Sequence, residues 1–158
     1  MTAFTVTRST EIAAPADTVF GLIADFHEWR HWSPWEGLDP QLHREYSGPS
    51  SGPGAGYAWR GNRKAGAGRM TISAVEPDRS VDVDLEFLKP MSSHHHVRFD
   101  IVPAGDSVTV TWTMTGETSG LFSLIGRILP MDKFVGKDFE KGLAALKARS
   151  ENTGTDRS

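Results

Sequence analysis

The stretch Met131 to Arg149, MDKFVGKDFEKGLAALKAR, constrains this chain more than any other. Met131, Phe134, Val135, Phe139, Leu143 and Leu146 recur at the spacing that puts side chains on one face of an α-helix, while Lys133, Lys137, Glu140, Lys141, Lys147 and Arg149 fall on the other. Gly142 lies within the apolar stripe, where a missing side chain lets the helix backbone press closely onto a neighbour. So broad a stripe needs a broad cover. Between Gln41 and Thr115 the chain alternates like strand, so the expected cover is a curved antiparallel sheet wrapped around this one helix.

The whole chain has 158 residues, enough for one domain, and 38% of them are hydrophobic, which supplies a core. With 17 Lys plus Arg against 20 Asp plus Glu, the net charge of -3 gives no electrostatic reason to expect a polyanion, so nucleic acid is not an expected partner. The absence of cysteine excludes a disulfide framework, a thiol nucleophile and a thiolate metal site. The start, MTAFTVTRSTEI, is polar and alternating, and no stretch is long and apolar enough to span a bilayer. The expectation is a soluble cytoplasmic protein without stable membrane insertion.

In chain order, Phe4, Val6, Thr10 and Ile12 alternate with Thr5, Thr7, Ser9 and Glu11 as a half-buried strand whose inward row includes Arg8. Pro15 at the first helical position and Asp17 near the positive end of the dipole open a helix that buries Val19, Phe20, Leu22, Ile23 and Phe26. A second short helix, Phe26 to Trp32, ends before Pro34. Six strands are expected near Leu42 to Tyr46, Gly56 to Gly61, Gly66 to Val75, Ser80 to Phe87, His94 to Val102 and Ser107 to Thr115. The loop Ser47 to Gly54 and turns at Asn62-Arg63-Lys64, Pro77-Asp78 and Ala104-Gly105-Asp106 separate them. Parity points Tyr57 and Trp59; Met70, Ile72 and Ala74; Val81, Val83, Leu85 and Phe87; Val97, Phe99 and Ile101; and Val108, Val110, Trp112 and Met114 inward. Asp82, Asp84, Glu86, Arg98, Asp100, Thr109, Thr111 and Thr113 then form a solvated convex side. SGLFSLIGRILP, which ends at Pro130, is apolar enough for a short helix or lid. One α+β domain over residues 1–149, with about seven strands, and a disordered tail over 150–158 complete the expected organisation.

The order strand, two helices, antiparallel strands, long C-terminal helix resembles the helix-grip fold of the SRPBCC superfamily, which holds START domains and birch-pollen-allergen-like proteins. The strings IAAPADTVFGLIADFHEWRHWSPW, YSGPSSGPGAGYAWRGN and MDKFVGKDFEKGLAALK are similar to its polyketide cyclase/dehydrase-like branch, and the resemblance covers Phe4 to Arg149. It implies a deep apolar cavity between the long helix and the concave sheet that holds lipids, polyketides or other hydrophobic molecules.

Within that frame the expected boundary of the cavity is Trp59, Met70, Phe87, His95, Phe99 and Trp112 from the sheet, with Phe134, Val135 and Asp138 from the long helix. Leu121 to Leu129 is expected near an opening, as a lid or as a segment that touches a membrane. The run His94-His95-His96 invites a metal, but parity turns His95 inward alone and leaves His94 and His96 to solvent, so neither a metal site nor a cofactor is expected. Arg8 and Arg44 share the apolar parity of their strands. Each can face the cavity and meet a carboxylate or carbonyl, or lay its stem on apolar surface at a sheet edge with its head in water. Trp29, Trp32, Trp35, Tyr57 and Trp59 can line a ligand mouth or fill the core. Asp25, His27, Glu28 and His31 bring acid and base together on the second helix without a third group. The glycines of GPGAG open no helix and lack the Lys-Ser/Thr ending of a phosphate loop, which excludes nucleotide binding.

Three functions follow. The first is a carrier or binding protein, monomeric or homodimeric, for a hydrophobic small molecule. The second is a cofactor-independent cyclase or dehydratase in which His95, with Arg44 or Tyr57, takes a proton and stabilises an enolate. The third is an interaction module resembling Hsp90-ATPase activators, in which an exposed face matters.

Overall fold

The computed structural model describes residues 2–34, 39, 41–62, 66–89, 93–118 and 131–156; side chains at 2–4, 117–118, 131–135 and 153–156 lie outside the description. Trp35, the tip residues Arg63 and Lys64, and the segment Leu121 to Leu129 therefore fall outside the described residues.

Alternating side chains give strand β1, Thr2–Ile12, and six further strands: β2, His43–Ser47; β3, Gly56–Arg60; β4, Ala67–Glu76; β5, Ser80–Lys89; β6, Ser93–Ala104; and β7, Ser107–Thr118. They form one antiparallel sheet in the order β1-β7-β6-β5-β4-β3-β2, a meander from β2 to β7 that β1 closes on its far side. Between β1 and β2 lie helix α1, Ala16–Ala24, and a 3-10 helix, Phe26–His31. The last element is helix α2, Met131–Asp156, which packs along β1 and beside α1. This is the helix-grip architecture.

Local chemistry explains most boundaries. Pro15 is the N-cap of α1 rather than its first helical residue: its backbone is extended, and its carbonyl accepts the N–H groups of Thr18 and Val19 at 3.1 and 3.3 Å. Asp25 closes α1 and caps the 3-10 helix by accepting the His27 N–H. Asp78 and Gly105 adopt left-handed backbone, with φ of 62° and 66°, at the two turns expected there.

Parity holds on β5, β6 and β7, where Val81, Val83, Val97, Phe99, Ile101, Val108, Val110, Trp112 and Met114 are buried. It fails on β4. The register slips between Ile72 and Ala74, so Ala74 is exposed and Val75 turns inward opposite Val81. The expected inward position of Ala74 is thus corrected by one bulged residue. On the convex face Arg98 Nη1 donates to both carboxylate oxygens of Asp82, at 3.2 and 3.0 Å, and Arg69 pairs with Glu86.

The interior is closed by α2. Phe139, Leu143 and Leu146 are at most 2% exposed. At Gly142 an added Cβ would stand 2.8 Å from both Pro34 Cδ and the Trp112 ring, which is the close approach the stripe implied. The helix also runs beyond Arg149, where a disordered tail was expected. Ser150 is fully buried, and the Glu151 carboxylate accepts from the Ala13 N–H at 2.9 Å and from Lys147 Nζ at 2.7 Å. The bond to Ala13, far away in the chain, and the i,i+4 pair with Lys147 tie down a segment whose Asn152, Thr153 and Gly154 are weak helix formers.

Candidate functional site

The concave face is read most directly from the register. Tyr57, Met70, Leu85 and His95 form one row across β3, β4, β5 and β6; Arg44, Trp59, Gly68, Phe87 and Ser93 form the next row outward, beginning on β2. Gly68 leaves room for the Trp59 indole, since a Cβ there would meet the edge of that ring at 2.5 Å.

Burial changes along the strands. Val81 and Val83 are fully buried and Leu85 is 4% exposed, whereas Phe87 is only partly buried; on β6 the sequence Ile101, Phe99, Val97, His95 runs from 1% to 8%. Tyr57 and Trp59 are also partly buried. Burial therefore decreases along the strands toward the end that carries these rings. They form a continuous line: Tyr46 to Tyr57 at 5.3 Å between centroids, Tyr57 to Trp59 at 6.0 Å, Trp59 to Phe87 at 5.9 Å, and Phe87 to His95 at 5.7 Å.

The more buried part is filled by other aromatics. Trp29 and Trp32 are 4% and 2% exposed, and their Nε1 groups donate to the carbonyls of Ile23 and Leu22 at 2.8 and 2.9 Å. Both meet Phe99 and Trp112 edge to face. Of the aromatics expected at a mouth or in the core, these two are core, while Tyr57 and Trp59 are partly buried. Phe99 and Trp112 belong to the packed floor. Met70 is 7% exposed and lies between Tyr57 and Leu85 in the inner row.

His95 is a buried titratable group of this face. It is 8% exposed, and its Nε2 lies 3.0 Å from Ser93 Oγ. Burial, and then the neighbouring His94, hold its pKa below the ordinary 6.5, so the imidazole is neutral at neutral pH and able to accept or donate a hydrogen bond according to its tautomer. His94 and His96 point outward, and His96 Nε2 contacts Asp82 at 2.9 Å. Ser93 was not singled out by the sequence; its position two residues before an inward histidine is the signal that could have found it.

The register does not gather the other reactive groups around His95. Tyr57 is three strands away, about 14 Å along the sheet at the usual strand spacing, and Arg44 is one strand further still. Met70 and Leu85 stand between Tyr57 and His95 in that row. Arg44 is half-buried on the outermost strand opposite Trp59. The Arg8 guanidinium lies across Gly136 of α2, with Nε 3.6 Å from Glu140 and the side chain 25% exposed. Asp138 is half-buried on α2, and the side chains of Phe134 and Val135 lie outside the described residues. Among the described residues no group of three or more His, Asp or Glu side chains is arranged to hold a metal ion.

Among solved structures, a protein from Thermobifida fusca is 24% identical with a TM-score of 0.67 and 92% of each chain covered. Mll3558 from Rhizobium loti is 21% identical with a TM-score of 0.66, covering 90% of this chain and 96% of that one. The Aha1 dimer from Colwellia psychrerythraea is 14% identical with a TM-score of 0.62, covering 94% and 96%. These likenesses concern the fold. Comparison with curated proteins gives no match. The family model described as "Polyketide cyclase / dehydrase and lipid transport" matches residues 3–151, and the chain belongs to that family, within the SRPBCC superfamily.

Proposed function

We propose that this protein binds or carries a hydrophobic small molecule, lipid-like or polyketide-like, between α2 and the concave sheet. The ligand sits at the end lined by Tyr57, Trp59, Phe87 and His95. The observation that supports this reading is the gradient along β5 and β6 from buried aliphatic core to partly buried rings, which gathers apolar and aromatic surface with a few polar groups, His95 and Ser93 among them, at a single end. His95 gives that surface a neutral hydrogen-bonding point suited to a carbonyl or hydroxyl on an otherwise apolar ligand.

The cyclase or dehydratase reading is less well supported, because an enolate needs a base and an oxyanion donor near one carbon, and the register spreads His95, Tyr57 and Arg44 over five strands. An Aha1-like interaction module rests on fold likeness alone. Among the described residues no helix is long and apolar enough to cross a membrane, and the proposal takes the protein as cytoplasmic, monomeric or homodimeric.

The test is titration with a fluorescent naphthalene or fatty-acid probe. Micromolar binding is expected, and Phe87→Ser should weaken it about tenfold, the equivalent of ~1.4 kcal/mol of lost apolar contact. Val135→Trp on α2 should block the probe without unfolding the domain. Failure of the probe to bind the wild-type protein, or equal binding by both variants, would exclude the cavity and leave the interaction module.

A further inference from the structure

A cleft lies outside the grip, between the 3-10 helix and the loop 48–55 that joins β2 to β3. Its volume is about 200 Å3, and Phe26, His27, Tyr46, Pro49, Ser50 and Ala55 are among its lining residues. Phe26 separates it from the interior: the ring is 2% exposed and meets Trp29 at 5.3 Å and Tyr57 at 6.0 Å.

Both walls are held in place. Asp25 Oδ1 accepts the His27 backbone N–H at 2.9 Å and lies 2.8 Å from the imidazole Nδ1. A carboxylate offers only lone pairs, so Nδ1 carries the proton, and in the neutral ring Nε2 is left as an acceptor. Among the described residues nothing is hydrogen-bonded to Nε2. Tyr46 lies flat on the same imidazole, 4.0 Å between centroids and 17° between planes, which fixes the ring's plane as Asp25 fixes its tautomer.

The opposite wall is a loop tied down by its backbone. The Gly52 N–H donates to the Ala24 carbonyl at 3.1 Å, the Gly54 N–H to Ile72 at 2.9 Å, and the Ala55 N–H to Gly52 at 3.1 Å. Gly48 has a φ of 71°, and a Cβ there would collide with the Gly54 carbonyl, so this path requires glycine. A cleft whose walls are already ordered loses little conformational freedom when it is filled.

We propose that this cleft is a second ligand site, which takes a small hydroxylated aromatic whose hydroxyl donates to His27 Nε2 and whose ring lies among Phe26, Tyr46 and Pro49. The lining combines ring and proline surface with the one acceptor that Asp25 orients. The volume is below the ~300–1,000 Å3 of pockets for drug-sized molecules, which limits the ligand to one or two rings. The site does not depend on occupancy of the interior cavity.

The experiment is NMR titration of the full chain with 2-naphthol, and with naphthalene as the analogue lacking the hydroxyl. The expected result is saturable shifts of the His27 and Tyr46 ring signals. Naphthalene should bind more weakly there, and His27→Phe, which keeps a flat ring but removes the acceptor, should weaken 2-naphthol about tenfold, as for loss of one hydrogen bond. His27 is half-exposed, so this variant should fold. Shifts at Trp59 and His95 would report the interior separately. The proposal is overturned if the His27 and Tyr46 signals do not move, if naphthalene binds there as tightly as 2-naphthol, or if His27→Phe binds as wild type.

Discussion

The rings of Trp112 and Phe139 lie face to face, 4.1 Å between centroids and 8° from parallel, and this contact joins β7 to α2 at the centre of the molecule. Trp112 also receives the edges of Trp29 and Trp32 and meets Phe99 at 4.9 Å, so one indole connects the sheet, the 3-10 helix and the long helix. Phe139→Ala should therefore cost about 3 to 5 kcal/mol in urea unfolding, the range for a large-to-small change in a packed core. A loss below about 1 kcal/mol would mean that α2 is not gripped by the sheet.

His95 gives stability a pH dependence of definite sign. Its folded pKa is depressed by burial, so as pH falls the unfolded chain takes up the proton first, near 6.5, and the native state only lower down. The contribution is fully present above 6.5 and is lost as the pH drops through the folded value. His95→Leu should flatten that part of the profile in urea melts between neutral and mildly acid pH. Direct NMR titration should place the His95 midpoint below the usual histidine value; a midpoint at or above it would contradict the burial.

The bulge on β4 makes a prediction opposite to simple alternation. Ala74 is exposed and Val75 packs inward, so Ala74→Lys should change stability by no more than ~0.5 kcal/mol, as for other surface positions. Were Ala74 inward, as an unbroken period of two requires, a lysine there would bury a charge and cost several kcal/mol. Thermal melting of this one variant decides between the two registers.

Much of the fold, and of the side-chain parity on its concave face, was legible in short-range pattern. The inward sets on β5, β6 and β7 follow from a period of two, and the same period separates His95 from His94 and His96. The stripe on α2 foretold the burial of Phe139, Leu143 and Leu146, and its glycine foretold a close neighbour without naming Pro34 or Trp112. The roles of Trp29 and Trp32 stayed open because an indole, with its apolar body and one N–H, suits a ligand mouth as well as a core. Only their indole hydrogen bonds to Leu22 and Ile23 and their packing on Phe99 made them core.

What the sequence by itself determined is which residues share a face, because that depends on a repeat of two or 3.6 residues that each segment carries alone. What only the tertiary structure decided is which faces meet. Arg8 reaches Gly136 and Glu140 on α2, Glu151 accepts the backbone N–H of Ala13 where α2 continues past Arg149, and three strand spacings part His95 from Tyr57. The slip at Ala74 belongs with these. Such outcomes depend on strand register and on contacts between residues far apart in the chain, where the free energy lies in the fit of two surfaces and neither surface alone specifies it.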